Sequence, residues 1–362
     1  MPSHSVTESA VLEALKVVHD PDLHRDIVSL GFVKELRVQG EQVSFAIELT
    51  TPACPVKDQL RGQARAVVAQ LPGVSTVDVT MTASVRSVTP EAGRMPVPGV
   101  KNVVAVGAGK GGVGKTTVAV NVALALAACG GRVGMLDGDI YGPNVPIMLG
   151  VRTQLASDGN KIVPAEKYDL QVVSMGFLAG DDSPIIWRGP MLHGIIQQFF
   201  RKVRWDNLDY LLVDLPPGTG DVALSLSQTV PVAGAIVVTT PQTVSLADTR
   251  RAVAMYRKLR IPVIGLIENM SHFVCSACGR ESDIFGKGGG ERLSEELDVP
   301  FLGQIPLYEP IRVGGDTGVP IVVAEPGSPA THAFLGAAER AAAQVSIASF
   351  KAIPLTSVQQ SG

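Results

Sequence analysis

The stretch from Gly109 to Thr117 constrains the fold more than any other part of the chain. It reads Gly-Lys-Gly-Gly-Val-Gly-Lys-Thr-Thr, follows an apolar run at 103–106 and precedes a helix-forming segment at 118–126. A strand, a glycine-rich turn and a helix in this order are the context that a phosphate-binding loop requires. The glycines let backbone N–H groups surround phosphate oxygens, and the helix N-terminus adds partial positive charge. The sequence therefore predicts a phosphate loop at residues 109–117.

Two side chains of the phosphate loop have predicted roles toward a bound ATP and its Mg²⁺. Lys115 is expected to reach the β- and γ-phosphates, and the Thr116 hydroxyl is expected to bind the metal. A second lysine, Lys110, lies inside the loop, although a minimal phosphate loop does not need it. The remaining loop residues are predicted to complete the nucleotide site: Gly109, Gly111, Gly112, Val113, Gly114 and Thr117.

Two acidic segments follow predicted buried strands. The segment 137–144 reads Asp-Gly-Asp-Ile-Tyr-Gly-Pro-Asn, and the segment 214–221 reads Asp-Leu-Pro-Pro-Gly-Thr-Gly-Asp. Carboxylates at the carboxyl end of a strand, beside a phosphate loop, are well placed for Mg²⁺ or for a water nucleophile. Asp214 is predicted to hold Mg²⁺ through water, and Gly218 is predicted to offer its N–H to the γ-phosphate. The three loops are expected at one edge of the sheet.

Strands and helices alternate from residue 101 onward, which predicts an α/β fold with a mostly parallel sheet and helices on both faces. Apolar strands are expected at 235–239, 262–267 and 301–306, and helices at 244–259 and 330–345. The predicted organisation is a small α/β domain at 1–85, a linker at 86–100, a P-loop ATPase domain at 101–345 and a flexible tail at 346–362.

The first 85 residues contain one unusual cysteine. Cys54 lies between two prolines, after a predicted strand at 43–49 and before a predicted helix at 56–71. A cysteine at a helix N-terminus has a lowered pKa. The alternative is a small buried residue at the entry of the helix.

Composition limits the classes of function. Hydrophobic residues make up 46% of the chain, enough for a sizeable core, and the net charge of −3 argues against a nucleic-acid partner. No apolar stretch has the length of a membrane span, and the first residues lack the features of a signal peptide. We expect a cytoplasmic protein without a membrane partner, in which the four cysteines stay reduced.

Cys275 and Cys278 form a Cys-x-x-Cys pair after a late strand of the ATPase region. Three roles are open. A dithiol redox pair normally opens a helix in a thioredoxin-like unit. Zinc requires four ligands, and His272 is the nearby supplement. Half of a Cys₄ site, completed by a symmetric partner chain, would suit a [4Fe–4S] cluster on a two-fold axis.

The loop with two lysines resembles the deviant Walker A ATPases, the class of MinD and of the nitrogenase iron protein. Together with the motifs at 137–143, 187–191, 214–221, 268–271 and the cysteine pair, it resembles the Mrp or ApbC family of iron–sulfur cluster carrier ATPases. The Asp-Pro-Asp, Leu-Gly and Thr-Pro-Ala-Cys-Pro elements at 20–22, 30–31 and 51–55 are similar to an iron–sulfur assembly domain often fused ahead of such ATPases.

The resemblance implies several roles. Lys110 would reach across a homodimer to the other subunit's nucleotide, Asp139 would position the attacking water, and Asn269 would bond the adenine. Cys275 and Cys278 would hold a [4Fe–4S] cluster between two chains for delivery to apoproteins. In the assembly domain, the matching cysteine is Cys54, so the resemblance makes it a candidate for iron or cluster handling.

Two other functions remain open at this stage. The first is a positioning ATPase of the MinD or ParA type, which needs a C-terminal amphipathic helix or a basic surface. The segment 346–362 has one lysine and little amphipathic pattern, which disfavours that function. The second is a zinc-bridged dimeric ATPase, because thiolates bind both metals. A non-catalytic scaffold is disfavoured by the intact loop lysine and acidic residues.

Overall fold

The computed structural model describes residues 6–88, 94–139, 142–152, 156–177, 189–218, 220–275 and 277–351. Parts of the predicted linker, of the motif at 187–191 and of the predicted tail, as well as Tyr141, Thr219 and Ser276, lie outside the described residues. The chain divides into two compact units, Met1–Arg86 and Ser87–Gly362. No helix among the described residues is both long enough and apolar enough to cross a bilayer.

The first unit is a small α/β structure. Its described elements are α1 (Glu8–Leu15), β1 (His19–Asp20), β2 (Arg25–Asp26), β3 (Val33–Gln39), β4 (Gln42–Leu49), α2 (Lys57–Ala69) and β5 (Thr76–Ala83). Strand β4 pairs antiparallel with β3 and parallel with β5, so α2 forms the crossover between two parallel strands. Leu60, Ala64 and Val68 recur every fourth residue on α2 and are buried, which gives the helix one apolar stripe.

The second unit contains the remaining described elements. Its strands are β6 (Val100–Ala108), β7 (Val133–Asp137), β8 (Ala156–Asp158), β9 (Lys161–Val163), β10 (Ala165–Lys167), β11 (Leu170–Ser174), β12 (Leu208–Asp214), β13 (Val232–Thr239), β14 (Val263–Val274), β15 (Glu281–Ser282) and β16 (Phe301–Tyr308). Its helices are α3 (Lys115–Ala128), α4 (Val145–Leu149), α5 (Gly189–Lys202), α6 (Asp221–Thr229), α7 (Thr243–Lys258), α8 (Gly289–Glu296), α9 (Glu309–Thr317), α10 (Ile321–Ala324) and α11 (Pro329–Lys351), with a 3₁₀ turn at Met175–Phe177.

Nine of these strands form one sheet within the described residues, in the order β10-β11-β7-β12-β6-β13-β14-β15, with β16 also paired to β14. Neighbours from β11 to β14, and β14 with β16, run parallel, whereas β10 and β15 pair antiparallel. Every residue of β12 and β13 is buried, as expected of central strands covered on both faces. The predicted fold class is confirmed.

Side chains on alternate strand positions pack into the layers beside the sheet. Val103 and Ala105 of β6 and Leu211 of β12 join a large buried cluster with α5, α6 and α7. Helix α3 packs against α11 as well as against the sheet. The parallel register puts Asp214 opposite Asp137, so the ends of β12 and β7 meet at one edge. The phosphate loop, which follows β6, leaves the sheet at that edge too.

Strand β14 and helix α11 extend well beyond their predicted ends. The strand predicted to begin at residue 262 was expected to end at Glu268-Asn269-Met270. Instead, β14 continues to Val274 because its last residues pair with β15 and β16. The closing helix was expected to end at Val345, but α11 continues to Lys351. Ser346 and Ser349 are buried on this added turn, and the Ser349 hydroxyl donates to the Val345 carbonyl at 2.9 Å. The predicted tail at 346–362 therefore begins too early.

Candidate nucleotide and metal sites

The phosphate loop has the backbone form that its glycines allow. Residues 109–114 turn between β6 and α3, and Gly112 and Gly114 have φ values of +80° and +77°. This left-handed region is costly for residues with a Cβ, so glycine is required at both positions. Helix α3 begins at Lys115 directly after Gly114, which directs its N-terminus into the loop.

Neighbouring segments pack closely on parts of the loop. A Cβ on Gly109 would lie 2.3 Å from backbone atoms of Asp248 in α7. A Cβ on Gly114 would lie 2.3 Å from the side-chain nitrogen of Asn269. By contrast, the nearest atom to a Cβ on Gly111 would belong to Pro217, at 3.9 Å. Substitution should therefore be tolerated at Gly111 far better than at Gly109.

Lys115, Thr116 and Asp214 form one buried cluster at the base of the loop. Lys115 Nζ donates to Asp214 Oδ1 at 2.5 Å, and Thr116 Oγ1 donates to Asp214 Oδ2 at 2.7 Å. Asp214 is fully buried and Lys115 is 7% exposed. Burial raises the pKa of Asp214, while its bonds to Lys115 and Thr116 oppose that shift. The cluster therefore contains a cation that can bind phosphate. Beside it lie hydroxyl and carboxylate oxygens, the type of ligand that Mg²⁺ prefers.

Asp137 was not singled out from the sequence, yet it organises the first acidic segment. Its Oδ1 accepts the Asp139 N–H at 3.1 Å, and its Oδ2 accepts the Ser174 hydroxyl at 2.9 Å and the Val145 N–H at 3.3 Å. Burial, followed by the charge of Asp214, raises the pKa of Asp137 to about 7. Its place after an apolar strand, two residues before Asp139, was the available signal.

The structure brings Asp139 into the same neighbourhood. Its side chain is partly exposed, and its charge contributes to the raised pKa of Asp214. Lys110 is exposed at the tip of the loop, Thr117 is half-buried in the first turn of α3, and Val113 is buried. The tip lysine is thus accessible to a molecule outside the chain.

Two groups that were predicted to contact the nucleotide form hydrogen bonds within the protein. The Gly218 N–H donates to the Ala108 carbonyl at 3.1 Å, so contact with a γ-phosphate would require exchange of that hydrogen bond. Asn269 Nδ2 donates to the Val113 carbonyl at 2.9 Å, inside the phosphate loop. Its predicted bond to adenine stays a prediction.

The cysteine pair lies at the turn of the hairpin formed by β14 and β15. Cys275 N–H donates to the Arg280 carbonyl at 3.0 Å, and Gly279 N–H donates to the Cys275 carbonyl at 2.8 Å. Backbone N–H groups of Ala277 and Cys278 donate to the Cys275 sulfur and lower its pKa, and the Cys278 thiol adds to this effect. Cys278 is exposed and Cys275 partly exposed. The turn therefore favours the thiolate, which is the metal-binding form.

Polar side chains surround the base of the hairpin. His272 Nδ1 lies 2.7 Å from the Ser271 hydroxyl, and its Nε2 lies 3.8 Å from Glu281 Oε1. Within the described residues, three or more potential metal-ligating side chains do not converge at any point. No group of three such side chains that includes His272 and the cysteine pair is therefore seen among the described residues, and zinc at this pair stays an untested alternative.

Cys54 lies in the first unit, three residues before α2 begins. It is buried, at 7% exposure, and its carbonyl accepts the Lys57 N–H at 3.4 Å. The preceding turn is fixed by the Thr51 hydroxyl, which accepts the Ala53 N–H at 3.1 Å. Its position is that of a buried residue at the helix entry, and a role in iron handling stays a prediction.

Glu268 is the second residue that the sequence did not single out. It is fully buried at the last position where β14 pairs with β13. Its two carboxylate oxygens accept the Gly288 N–H at 2.9 Å and the Gly290 N–H at 2.5 Å. The carboxylate thereby caps the N-terminus of α8 and fixes the glycine-rich segment that follows the hairpin.

Each of the two units matches a known protein family. Residues 99–342 match the family described as NUBPL iron-transfer P-loop NTPase, and residues 8–79 match the family described as iron–sulfur cluster assembly protein. The iron–sulfur cluster carrier protein of Synechocystis is 49% identical over 349 residues, covering 95% of this chain and 99% of that relative.

Two solved structures resemble the larger unit. A nucleotide-binding protein of Archaeoglobus fulgidus, solved in complex with ADP, is 33% identical with a TM-score of 0.57, covering 65% of this chain and 92% of that chain. The cell division ATPase MinD of Pyrococcus furiosus is 26% identical with a TM-score of 0.51, covering 66% of this chain and 97% of that chain.

Proposed function

The chain belongs to the iron-transfer P-loop NTPases, the family of the iron–sulfur cluster carrier proteins, and from this premise we propose how it works. It binds and hydrolyses ATP, holds a [4Fe–4S] cluster between two copies of itself, and transfers the cluster to apoproteins. The observation that carries this proposal is the pair of Cys275 and Cys278, which follows directly after the strand whose Asn269 contacts the phosphate loop.

The cluster is the cargo, and the cysteine turn supplies half of its ligands. A [4Fe–4S] cluster takes four thiolates, whereas the turn offers Cys275 and Cys278. A two-fold axis beside the turn brings the same pair from a second chain and completes the set. The exposure of Cys278 and the amides directed at Cys275 support a site that forms at a surface and releases its cargo there.

ATP binding uses the loop and its buried cluster. Lys115, which pairs with Asp214 in this structure, would instead pair with the phosphates of bound ATP. The Thr116 hydroxyl and, through water, Asp214 would hold Mg²⁺, which supplies charge neutralisation of the phosphates. The Thr116 hydroxyl oxygen and one carboxylate oxygen of Asp214 lie 2.7 Å apart, so the two side chains present hard oxygen ligands at one place.

Hydrolysis requires a positioned water and positive charge on the transferred phosphoryl group. Asp139 orients the water, and its backbone is held in place by Asp137. Lys110, exposed at the loop tip, stabilises the developing charge on the nucleotide of the partner subunit. Both hydrolysis and cluster exchange therefore depend on the same dimer.

Cluster transfer to an apoprotein tests this function. Protein reconstituted anaerobically is mixed with an apo-ferredoxin, and transfer is followed by absorption with and without ATP and Mg²⁺. We expect Lys115→Ala to lose the effect of ATP, whereas Lys101→Ala, a lysine paired with Asp209 and remote from the loop, keeps it. Equal transfer by wild type and Lys115→Ala, with or without ATP, would contradict a function driven by the nucleotide.

A further inference from the structure

We infer that Asn269 is a positioning residue that couples the phosphate loop to the cysteine pair through the extension of β14. This inference rests on the proposed function and adds the route by which nucleotide would control cluster binding. The route has three parts in chain order: a contact with the loop at Asn269, an irregular segment at 270–272, and the hairpin of β14 and β15, whose turn begins at Cys275.

The contact with the loop is direct and tight. Asn269 Nδ2 donates to the Val113 carbonyl at 2.9 Å, and Asn269 is 6% exposed. The same nitrogen would lie 2.3 Å from a Cβ on Gly114, so the loop backbone and this side chain leave no space between them. A phosphate group that reorients the 113–114 backbone must therefore move Asn269 or break its hydrogen bond.

The irregular segment lets such a movement pass along the strand. Pairing of β14 with β16 shifts from Asn269↔Ile305 to Phe273↔Leu307, so residues 270–272 lie opposite Pro306. Proline has no N–H to donate to a strand ladder, which explains why pairing is interrupted here. Met270 has φ of +56°, a left-handed conformation that is unfavourable for a residue with a side chain. The segment is a bulge, and pairing with β16 resumes beyond it at Phe273.

The far end of the strand carries the cysteines. Phe273 and Val274 pair with Ser282 and Glu281 of β15, and Cys275 follows immediately. Cys275 is six residues beyond Asn269, which spans at most about 20 Å of extended chain. The returning segment after β15 is fixed by Glu268, the neighbour of Asn269. The two sides of the hairpin are therefore held at the neighbouring residues Glu268 and Asn269, of which Asn269 contacts the phosphate loop.

Nucleotide in the loop thus changes the placement of the cysteine turn. A change in the Val113 backbone displaces Asn269, and the bulge at 270–272 moves with it. The hairpin then shifts, which changes the exposure and the spacing of the two thiols. Small shifts at one site become discrete changes at another when the connecting element has two packed arrangements.

Thiol reactivity of the metal-free protein tests this route without a cluster. In a background of Cys54→Ala and Cys129→Ala, the alkylation rates of Cys275 and Cys278 are measured by mass spectrometry with and without saturating ATP and Mg²⁺. Nucleotide is expected to change these rates at least about five-fold, the lower end of common coupling strengths. Asn269→Ala is expected to remove the change, with nucleotide occupancy verified separately.

Asn102→Ala is the matched control. Asn102 is also buried, and its side chain bonds Val88 N–H and the Asp209 carbonyl near the start of β6, at the opposite edge of the sheet. This variant loses a buried amide of the same kind but is expected to keep the full response to nucleotide. If Asn269→Ala does not fold, Met270→Gly provides the second test, because a relaxed bulge is expected to weaken the response while the loop contact remains.

The outcomes separate this inference from the proposed function. A response that persists in Asn269→Ala, or is lost equally in Asn102→Ala, overturns the route through Asn269. Absence of any response in the wild-type background overturns the coupling itself. Cluster reconstitution of the wild type, run in parallel, reports on the carrier function alone, and a normal cluster with no thiol response leaves that function standing.

Discussion

The buried pair of Lys115 and Asp214 makes a prediction about stability as well as about nucleotide. Lys115→Ala leaves a fully buried carboxylate without its cation, since the two atoms are 2.5 Å apart and Asp214 has 0% exposure. Removing one member of a buried ion pair typically costs about 3 to 5 kcal/mol. We therefore expect the free energy of unfolding of the second unit to fall by about 3 to 5 kcal/mol in Lys115→Ala.

Urea unfolding without nucleotide measures this loss, because bound ligand would add its own stabilisation. Both tryptophans, Trp187 and Trp205, belong to the second unit, so fluorescence follows that unit alone. Adding Asp214→Asn to Lys115→Ala removes the unpaired charge and should recover at least about half of the loss. Equal stability of the single and double variants would refute the argument that an uncompensated carboxylate causes the loss.

Three further predictions concern the loop, the acidic segment and the cysteine turn. Gly109→Ala should weaken ATP binding by about 5- to 150-fold through its clash with α7, as judged by calorimetry, whereas Gly111→Ala should bind nearly as wild type. Folded Asp137 keeps its proton up to about pH 7 while the unfolded chain loses it near 3.8, so the unfolding free energy should fall by about 4 kcal/mol between those pH values. Asp137→Asn should flatten that part of the pH profile, and an unchanged slope would contradict the assignment. In a pulse of iodoacetamide at neutral pH, Cys275 should be labelled well before buried Cys54, and the reverse order would exclude a stabilised thiolate at the turn.

Much of the fold followed from local patterns in the sequence. The glycine-rich loop, the apolar strands and the acidic residues at the strand ends are each recognisable from a short stretch of sequence. The phosphate loop and the place of Asp214 beside it could therefore be predicted. The parallel register then brings Asp137 beside Asp214. The hydrogen bonds of Asp137 could not be predicted from its local sequence, because its partners Ser174 and Val145 come from different elements.

The extension of β14 was missed for a related reason. Ser271 and His272 interrupt the apolar run, and the residues beyond them are a strand only because β15 and β16 supply partners. Likewise, the capping role of Glu268 depends on glycines twenty residues later. The end of α11 falls in the predicted flexible tail at 346–362, although Ser346 and Ser349 are buried in the folded chain. Long-range contacts, which no local pattern encodes, decided the extension of β14 and the role of Glu268.

The mass of the reconstituted protein tests the central claim most directly. Native mass spectrometry after anaerobic reconstitution should show two chains carrying one cluster of four iron and four sulfide ions. Cys275→Ala and Cys278→Ala should each remove both the cluster and the added mass. A cluster on a single chain, zinc in place of iron, or a cluster that survives loss of both cysteines would contradict a carrier that holds its cargo between two cysteine turns.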